Sequence, residues 1–454
     1  MILSILRDRF QNIAPPSSFR RNSLLLILGT VAAQGIAIAA VPFITRLYTP
    51  SQLGLLGAFV GITSIMTPLA CLNYAQAIIL PKRDADAVEL ATLSVVVSIG
   101  IALVFGVIIT IWGRSLAPFL NLPELASWLW TIPPLILLAG IFQASQMLHS
   151  RRKTFASISV AKLSQSTAVA TTQIGFGAMF APGVWGLLTG YIVGLITQAT
   201  VLVGVTKTAW LELFSVKGKV RQLWGQAKRH RKFALFSTPG SVAINMGTQG
   251  FVLVVAFLFD SATAGLFFIT HRVLSLPVSL ISQSMSPAFY EQLVTIRREG
   301  GDETGSIAQT FLVLLALALV PTILLAVLAP WLFGLVFGEE WVQAGQFARA
   351  MLCKYVMLFC VFPITQVFFV YEKQHYGMAW HMGFLFVTVA ATCVCATLGG
   401  PMAGVVGYAV SGAMMYVLVL VVALNWSGCP LRGIPSAFLA AARRLVHVGA
   451  NSVQ

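Results

Sequence analysis

Three basic residues, Arg272, Lys354 and Lys162, fall within long apolar stretches of this chain. An ionised side chain at mid-membrane costs at least about 2.5–3.5 kcal/mol on insertion scales, so it normally faces a bundle interior or a watery cavity. At a helical rise of 1.5 Å per residue, Arg272 lies roughly 12 Å, Lys354 roughly 16 Å and Lys162 roughly 10 Å inside its stretch. The acidic residues behave differently: all fourteen lie in polar loops or at the edges of apolar runs. An interior with cations and no carboxylate suits an anionic ligand. Arg272 offers a planar fork to a phosphate, whereas Lys354 and Lys162 are compact charges. The missing carboxylates argue against export of cationic drugs and remove the usual side chain for a proton or sodium site. Structural readings stand beside these: Arg272 could pair with Asp260, and Lys162 could reach back to the headgroups.

Amides also recur within the apolar runs, notably Gln34, Asn245 and Gln249, with Gln143, Gln146 and Gln173. Asn245 and Gln249 have the four-residue spacing that shares one face of a continuous helix. They could hydrogen-bond sugar hydroxyls, but a bond between helices, worth about 0.6 kcal/mol, accounts for any single amide. Cys71, Cys353, Cys360, Cys393 and Cys395 sit inside apolar runs, where cysteine is usually inert packing. The sequence holds no nucleophile–base constellation, phosphate-cradling glycine loop or metal-ligand cluster. It therefore points to no metal, no cofactor and no enzymatic chemistry.

The elements that must hold these residues follow from composition. Of 454 residues, 57% are hydrophobic and 9% charged, and the mean hydropathy is +0.86. Soluble domains carry about 25% charged residues, so this is an all-α integral membrane chain. Twelve apolar runs are each long enough for a crossing of about 20 residues: 22–45, 53–80, 88–112, 127–148, 155–180, 183–206, 233–259, 264–290, 307–333, 343–371, 377–398 and 402–425. They lack the alternation of a transmembrane barrel.

Placing the N-terminus in the cytoplasm assigns 24 basic residues to that side and leaves Arg46, Arg114, Arg272, Arg349 and Lys354 for the remainder. That asymmetry satisfies the positive-inside rule and puts both termini in the cytoplasm. The net charge of +15 is thus accounted for by orientation and anionic headgroups, and no nucleic-acid partner is expected. The ten tryptophans lie near the run edges, as in interfacial aromatic belts.

A basic linker at 207–232 divides the runs into an N-lobe (1–206) and a C-lobe (233–425) of six helices each, followed by a cytoplasmic tail (426–454). Six per half makes the repeats parallel. An offset of 211 carries Leu53-Gly54-Leu55 onto Ala264-Gly265-Leu266 and Gln34 onto Asn245. Prolines within the runs, such as Pro68, Pro277 and Pro321, are ordinary membrane-helix kinks on one reading and bending points around a central cavity on another.

Three segments carry a family resemblance: Thr45-Arg46-Leu47-Tyr48-Thr49-Pro50-Ser51-Gln52-Leu53-Gly54; Gly265-Leu266-Phe267 with His271-Arg272-Val273-Leu274-Ser275-Leu276-Pro277; and Leu335-Val336-Phe337-Gly338-Glu339-Glu340-Trp341 with Ala344-Gly345. Over residues 20–425 the chain resembles bacterial polysaccharide flippases of the O-antigen (Wzx) type, in the multidrug/oligosaccharidyl-lipid/polysaccharide exporter superfamily. The resemblance implies a MATE-like fold of two six-helix lobes. It also implies transfer of undecaprenyl-pyrophosphate-linked oligosaccharide from the cytoplasmic to the periplasmic leaflet of a bacterial inner membrane. Arg272 stands in the family's His-Arg-Val-Leu motif, and a cationic lumen would accommodate the pyrophosphate. Lys354 and Lys162 rest on depth alone. The implied partners are the lipid-linked substrate, membrane lipids, a polysaccharide polymerase and glycosyltransferases. Two rivals remain, an exporter of small anionic molecules with the same architecture and a non-transporting scaffold for polysaccharide assembly.

Overall fold

The apolar runs form helices, punctuated where proline, glycine and left-handed residues interrupt them. The computed structural model describes residues 17–180, 183–205 and 220–451. In chain order these contain α1 (Ser17–Ala39), α2 (Val41–Leu47), α3 (Pro50–Ala70), α4 (Asp84–Phe119), α5 (Ile132–Arg151), α6 (Phe155–Met179), α7 (Val184–Val205) and α8 (Val220–Arg229). Beyond them come α9 (Thr238–Gly247), α10 (Phe251–Leu258), α11 (Ser261–Arg298), α12 (Glu303–Phe337), α13 (Val342–Val361), α14 (Gln374–Trp426) and α15 (Ile434–Asn451). No strand occurs among the described residues. Residues 207–219 of the expected linker, with Trp210, lie outside them.

Among the described residues nine helices are long and apolar enough to cross a membrane, and α9 with α10 makes a tenth if that bent pair is one span. The 53-residue α14 is non-helical at Gly399 and Gly400, where φ reaches +69°, so it comprises two successive helices. The 25-residue α6 coincides with the expected run 155–180; Lys162 and its many serines, threonines and glutamines lower its hydropathy. The chain is a multi-pass, all-α membrane protein.

Several runs are interrupted where continuous helices are expected. The run 53–80 stops at Ala70, because Leu72 and Asn73 adopt positive φ, and resumes as a 3₁₀ turn over Tyr74–Ile79. The run 233–259 breaks between Gly247 and Phe251 with a 50° bend. The run 343–371 loses α-helical form after Val361.

Packing groups Asn22–Thr270 with Pro330–Gly345 in one compact body, and His271–Ala329 with Gln346–Gln454 in another. This grouping does not follow the linker, since α9 and α10 pack along α3. The expected lobes 1–206 and 233–425 and these bodies divide the chain at different residues. At one end of the first body Cys71, Tyr74, Ile78, Leu90, Ala144 and Leu148 form a sealed apolar core. In the second, the rings of Trp380, Phe384 and Tyr416 interlock the two halves of α14.

Candidate substrate-binding site

In the second body α11 and α13 each carry one deep cation. Arg272 and Lys354 stand about eleven and twelve residues into their helices, roughly 16–18 Å from the helix starts at 1.5 Å per residue. A hydrogen bond between His271 Nδ1 and the Tyr355 hydroxyl holds the two helices side by side at this level. Adjacent helical residues point in different directions, so His271 is buried while Arg272 is partly exposed.

Lys354 is only 2% exposed. Its ammonium donates to the Tyr408 hydroxyl and lies 5.3 Å and 5.6 Å from the ring centroids of Tyr355 and Phe384. Gly412 makes room for the lysine stem, since a Cβ there would stand 3.0 Å from Lys354 Cδ. Among the described residues no carboxylate pairs with Lys354; the ion pairs present are Arg151–Asp84 and Arg297–Glu303. Lys354 is thus caged by aromatics rather than open to a chamber in this conformation. Asp260, the alternative partner for Arg272, accepts the Thr263 N–H at 2.7 Å and caps the start of α11.

The remaining predicted residues lie in the first body. Lys162 Nζ donates to Thr30 Oγ1 at 3.1 Å, on the face of α1 that carries Gln34 one turn later. Gln34 is partly buried. Asn245 Nδ2 donates to the Ser64 carbonyl at 2.6 Å, tying α9 to α3. Gln249 is exposed beyond the end of α9, so the shared helix face expected for Asn245 and Gln249 does not exist: the break at Gly247 separates them. Gln143 and Gln173 likewise donate to carbonyls on other helices, those of Thr67 and Leu187.

The aromatic surroundings of Lys354 were not among the expectations from the sequence. Tyr408, Gly412 and Tyr416 recur at four-residue spacing on one helix face, which was the available signal.

Most of the segments that carry the family resemblance, 45–54, 265–267 and 335–345, converge in the first body, while His271–Pro277 belongs to the second. Thr49 Oγ1 accepts the Gln52 N–H, Gln52 Oε1 accepts the Thr49 N–H, and Pro50 follows the cap, so the motif is a capping box starting α3. Trp341, 1% exposed, donates Nε1–H to the Thr45 carbonyl at 3.1 Å, and Arg46 donates to the Leu335 carbonyl at 3.4 Å. Trp341 is therefore a core anchor and not a belt residue. A Cβ on Gly54 would lie 1.7 Å from the Ser261 carbonyl oxygen, and one on Gly265 would lie 1.8 Å from that of Pro50. The two glycines bring the backbones of α3 and α11 into reciprocal contact, with Ser51 and Ser261 hydroxyls bonded at 2.5 Å. The 211-residue offset also relates the caps of these helices, Thr49 and Asp260.

Known proteins place this arrangement. A multidrug resistance MATE family transporter of the MOP superfamily, in an inward-facing conformation, superposes with a TM-score of 0.64 at 14% identity, covering 89% of this chain and 95% of its own. The lipid II flippase MurJ, in an inward closed conformation, gives 0.61 at 13% identity over 96% and 92%. A mutant form of the Vibrio cholerae MATE transporter VcmN gives 0.56 at 14% identity over 90% and 96%. These likenesses establish a MATE-like fold. No curated protein matches the sequence. The family model described as "Polysaccharide biosynthesis protein" matches residues 43–346, a span that includes the capping box, the reciprocal glycines, Arg272 and Trp341, and the chain belongs to that family.

Proposed function

We propose that this protein is a flippase that moves undecaprenyl-pyrophosphate-linked oligosaccharide from the cytoplasmic to the periplasmic leaflet of a bacterial inner membrane, with both termini in the cytoplasm. The observation that carries the reading is the pair of mid-depth cations on adjacent helices, Arg272 partly exposed and Lys354 without a carboxylate partner among the described residues. A cation whose partner is a neutral hydroxyl, as Lys354 has in Tyr408, gains by exchanging it for an anionic head group. Membership of a polysaccharide biosynthesis family and the MATE-like fold, shared with a lipid II flippase, support the same reading.

The pyrophosphate engages the Arg272 guanidinium first, because that side chain is the accessible one. Lys354 then exchanges the Tyr408 hydroxyl for a phosphate oxygen, gaining a charged partner in place of a neutral one. Lobe rocking exposes the head to the periplasm while the lipid tail stays in the bilayer. The membrane potential favours outward movement of an anion by about 2.3 kcal/mol per charge per 100 mV, so the loaded step needs no coupling carboxylate. A polymerase and glycosyltransferases are the expected neighbours in the pathway.

The test is glycan display in a deletion strain. Arg272→Ala should abolish surface glycan while folded protein remains, and Arg272→Lys should retain more; full display by the alanine variant refutes the role of Arg272. The MATE-like fold also admits an exporter of small anions, which would leave surface glycan intact on deletion and change resistance on expression.

A further inference from the structure

Residues 220–232 contain Arg221, Lys228, Arg229, Arg231 and Lys232, with no acidic residue among them. The inner side of α8 is fixed to the first body. Leu223 and Ala227 pack against the apolar core around Leu90 and Tyr74, and Gln226 Nε2 donates to Glu89 Oε2 at 3.0 Å. These attachments set the helix's rotation. They turn Arg221, Trp224 and Lys228, at i, i+3 and i+7 on one face, away from the core. Trp224 is 74% exposed, and all five cations are exposed.

The next stretch of chain identifies the surroundings of this face. About two turns past Lys228 the exposed residues become Leu235, at 61%, and Phe236, at 57%, at the start of the bent candidate span Phe233–Leu258. A solvent-exposed surface passes from five cations and a tryptophan to uncharged apolar side chains within a few residues. Such a change marks the headgroup boundary, where tryptophan is favoured and each basic residue is attracted to an anionic leaflet. A soluble acidic protein would complement the cations but leave Leu235 and Phe236 bare.

We propose that α8 and the residues up to Lys232 form a docking surface for anionic lipid headgroups, with Trp224 inserted between them. The surface is independent of the cargo and of the Arg272 site.

The test uses the full-length protein in phosphatidylcholine nanodiscs with and without phosphatidylglycerol. Trp224 emission is taken as the difference between the native protein and Trp224→Phe, and quenching is measured with lipid brominated near the headgroup. Phosphatidylglycerol retention is followed by native mass spectrometry. Quenching of Trp224 is expected, stronger with phosphatidylglycerol. Arg221→Gln with Lys228→Gln should weaken phosphatidylglycerol binding on the order of tenfold, while Arg221→Lys with Lys228→Arg retains it. Equal phosphatidylglycerol binding by the glutamine variant would overturn the proposal. An unquenched Trp224 in anionic discs would do the same and assign the face to a soluble partner.

Discussion

Replacing Gly54 with alanine tests the reading of the motif-bearing node as a backbone-to-backbone crossing. The new methyl would begin 1.7 Å from the Ser261 carbonyl oxygen and 2.9 Å from Gly265 N. Both are main-chain atoms and cannot swing aside. Ordinary contact requires about 3.5 Å, so the helices must part by nearly 2 Å at this point. Overpacking costs about 1–3 kcal/mol, and losing the Ser51–Ser261 hydrogen bond adds about 0.5–1.5 kcal/mol. Alanine's better helix propensity returns up to about 1 kcal/mol, leaving a net loss near 2–3 kcal/mol. Gly265→Ala, facing the Pro50 carbonyl oxygen at 1.8 Å, should cost as much. The double variant should cost less than the sum by about 1–2 kcal/mol, because one separation makes room for both methyls. Gly100→Ala is the control, since a Cβ there meets nothing within 4 Å. Unfolding free energies from denaturant titration in mixed micelles provide the measurement. Single variants within about 0.5 kcal/mol of the native protein, or strictly additive losses, would refute the close crossing.

The side-chain contacts lead to three more expected outcomes. Thr49→Ala removes the acceptor for the Gln52 N–H and should lower stability by about 1 kcal/mol in the same titration. Tyr408→Phe takes the hydroxyl from the Lys354 ammonium and should cost about 1–3 kcal/mol. Lys354→Met keeps the volume and removes the buried charge, so stability should hold or rise, by up to about 4 kcal/mol, while surface glycan display is lost. Undiminished display by that variant would remove Lys354 from the mechanism.

The helical membrane class and the family were legible in the sequence because each rests on a strong local signal: run length and a contiguous motif. The interruptions were not. The break after Gly247 and the left-handed residues at Leu72 and Asn73 are set by packing and by hydrogen bonds such as Asn73 Nδ2 to Ser241 Oγ, which local hydropathy does not register. Trp341 shows the same limit, since an edge tryptophan fits an interfacial belt until a distant carbonyl, that of Thr45, claims its N–H. Gly54 and Gly265 were visible as a repeat, but only their reciprocal contact gives the reason for glycine at both places. Lys354 was placed by depth, yet its enclosure depends on Tyr408 and Gly412, more than fifty residues away in the chain.

Transport by the purified protein is the most direct test. Liposomes containing labelled undecaprenyl-pyrophosphate-linked oligosaccharide, with and without the protein, are exposed to a membrane-impermeant reagent that modifies only outward-facing head groups. Reagent-accessible lipid should rise with time in vesicles holding the native protein, and remain at the protein-free level with Arg272→Ala. Equal accessibility in native-protein and empty liposomes, under an imposed membrane potential, would contradict the flippase assignment.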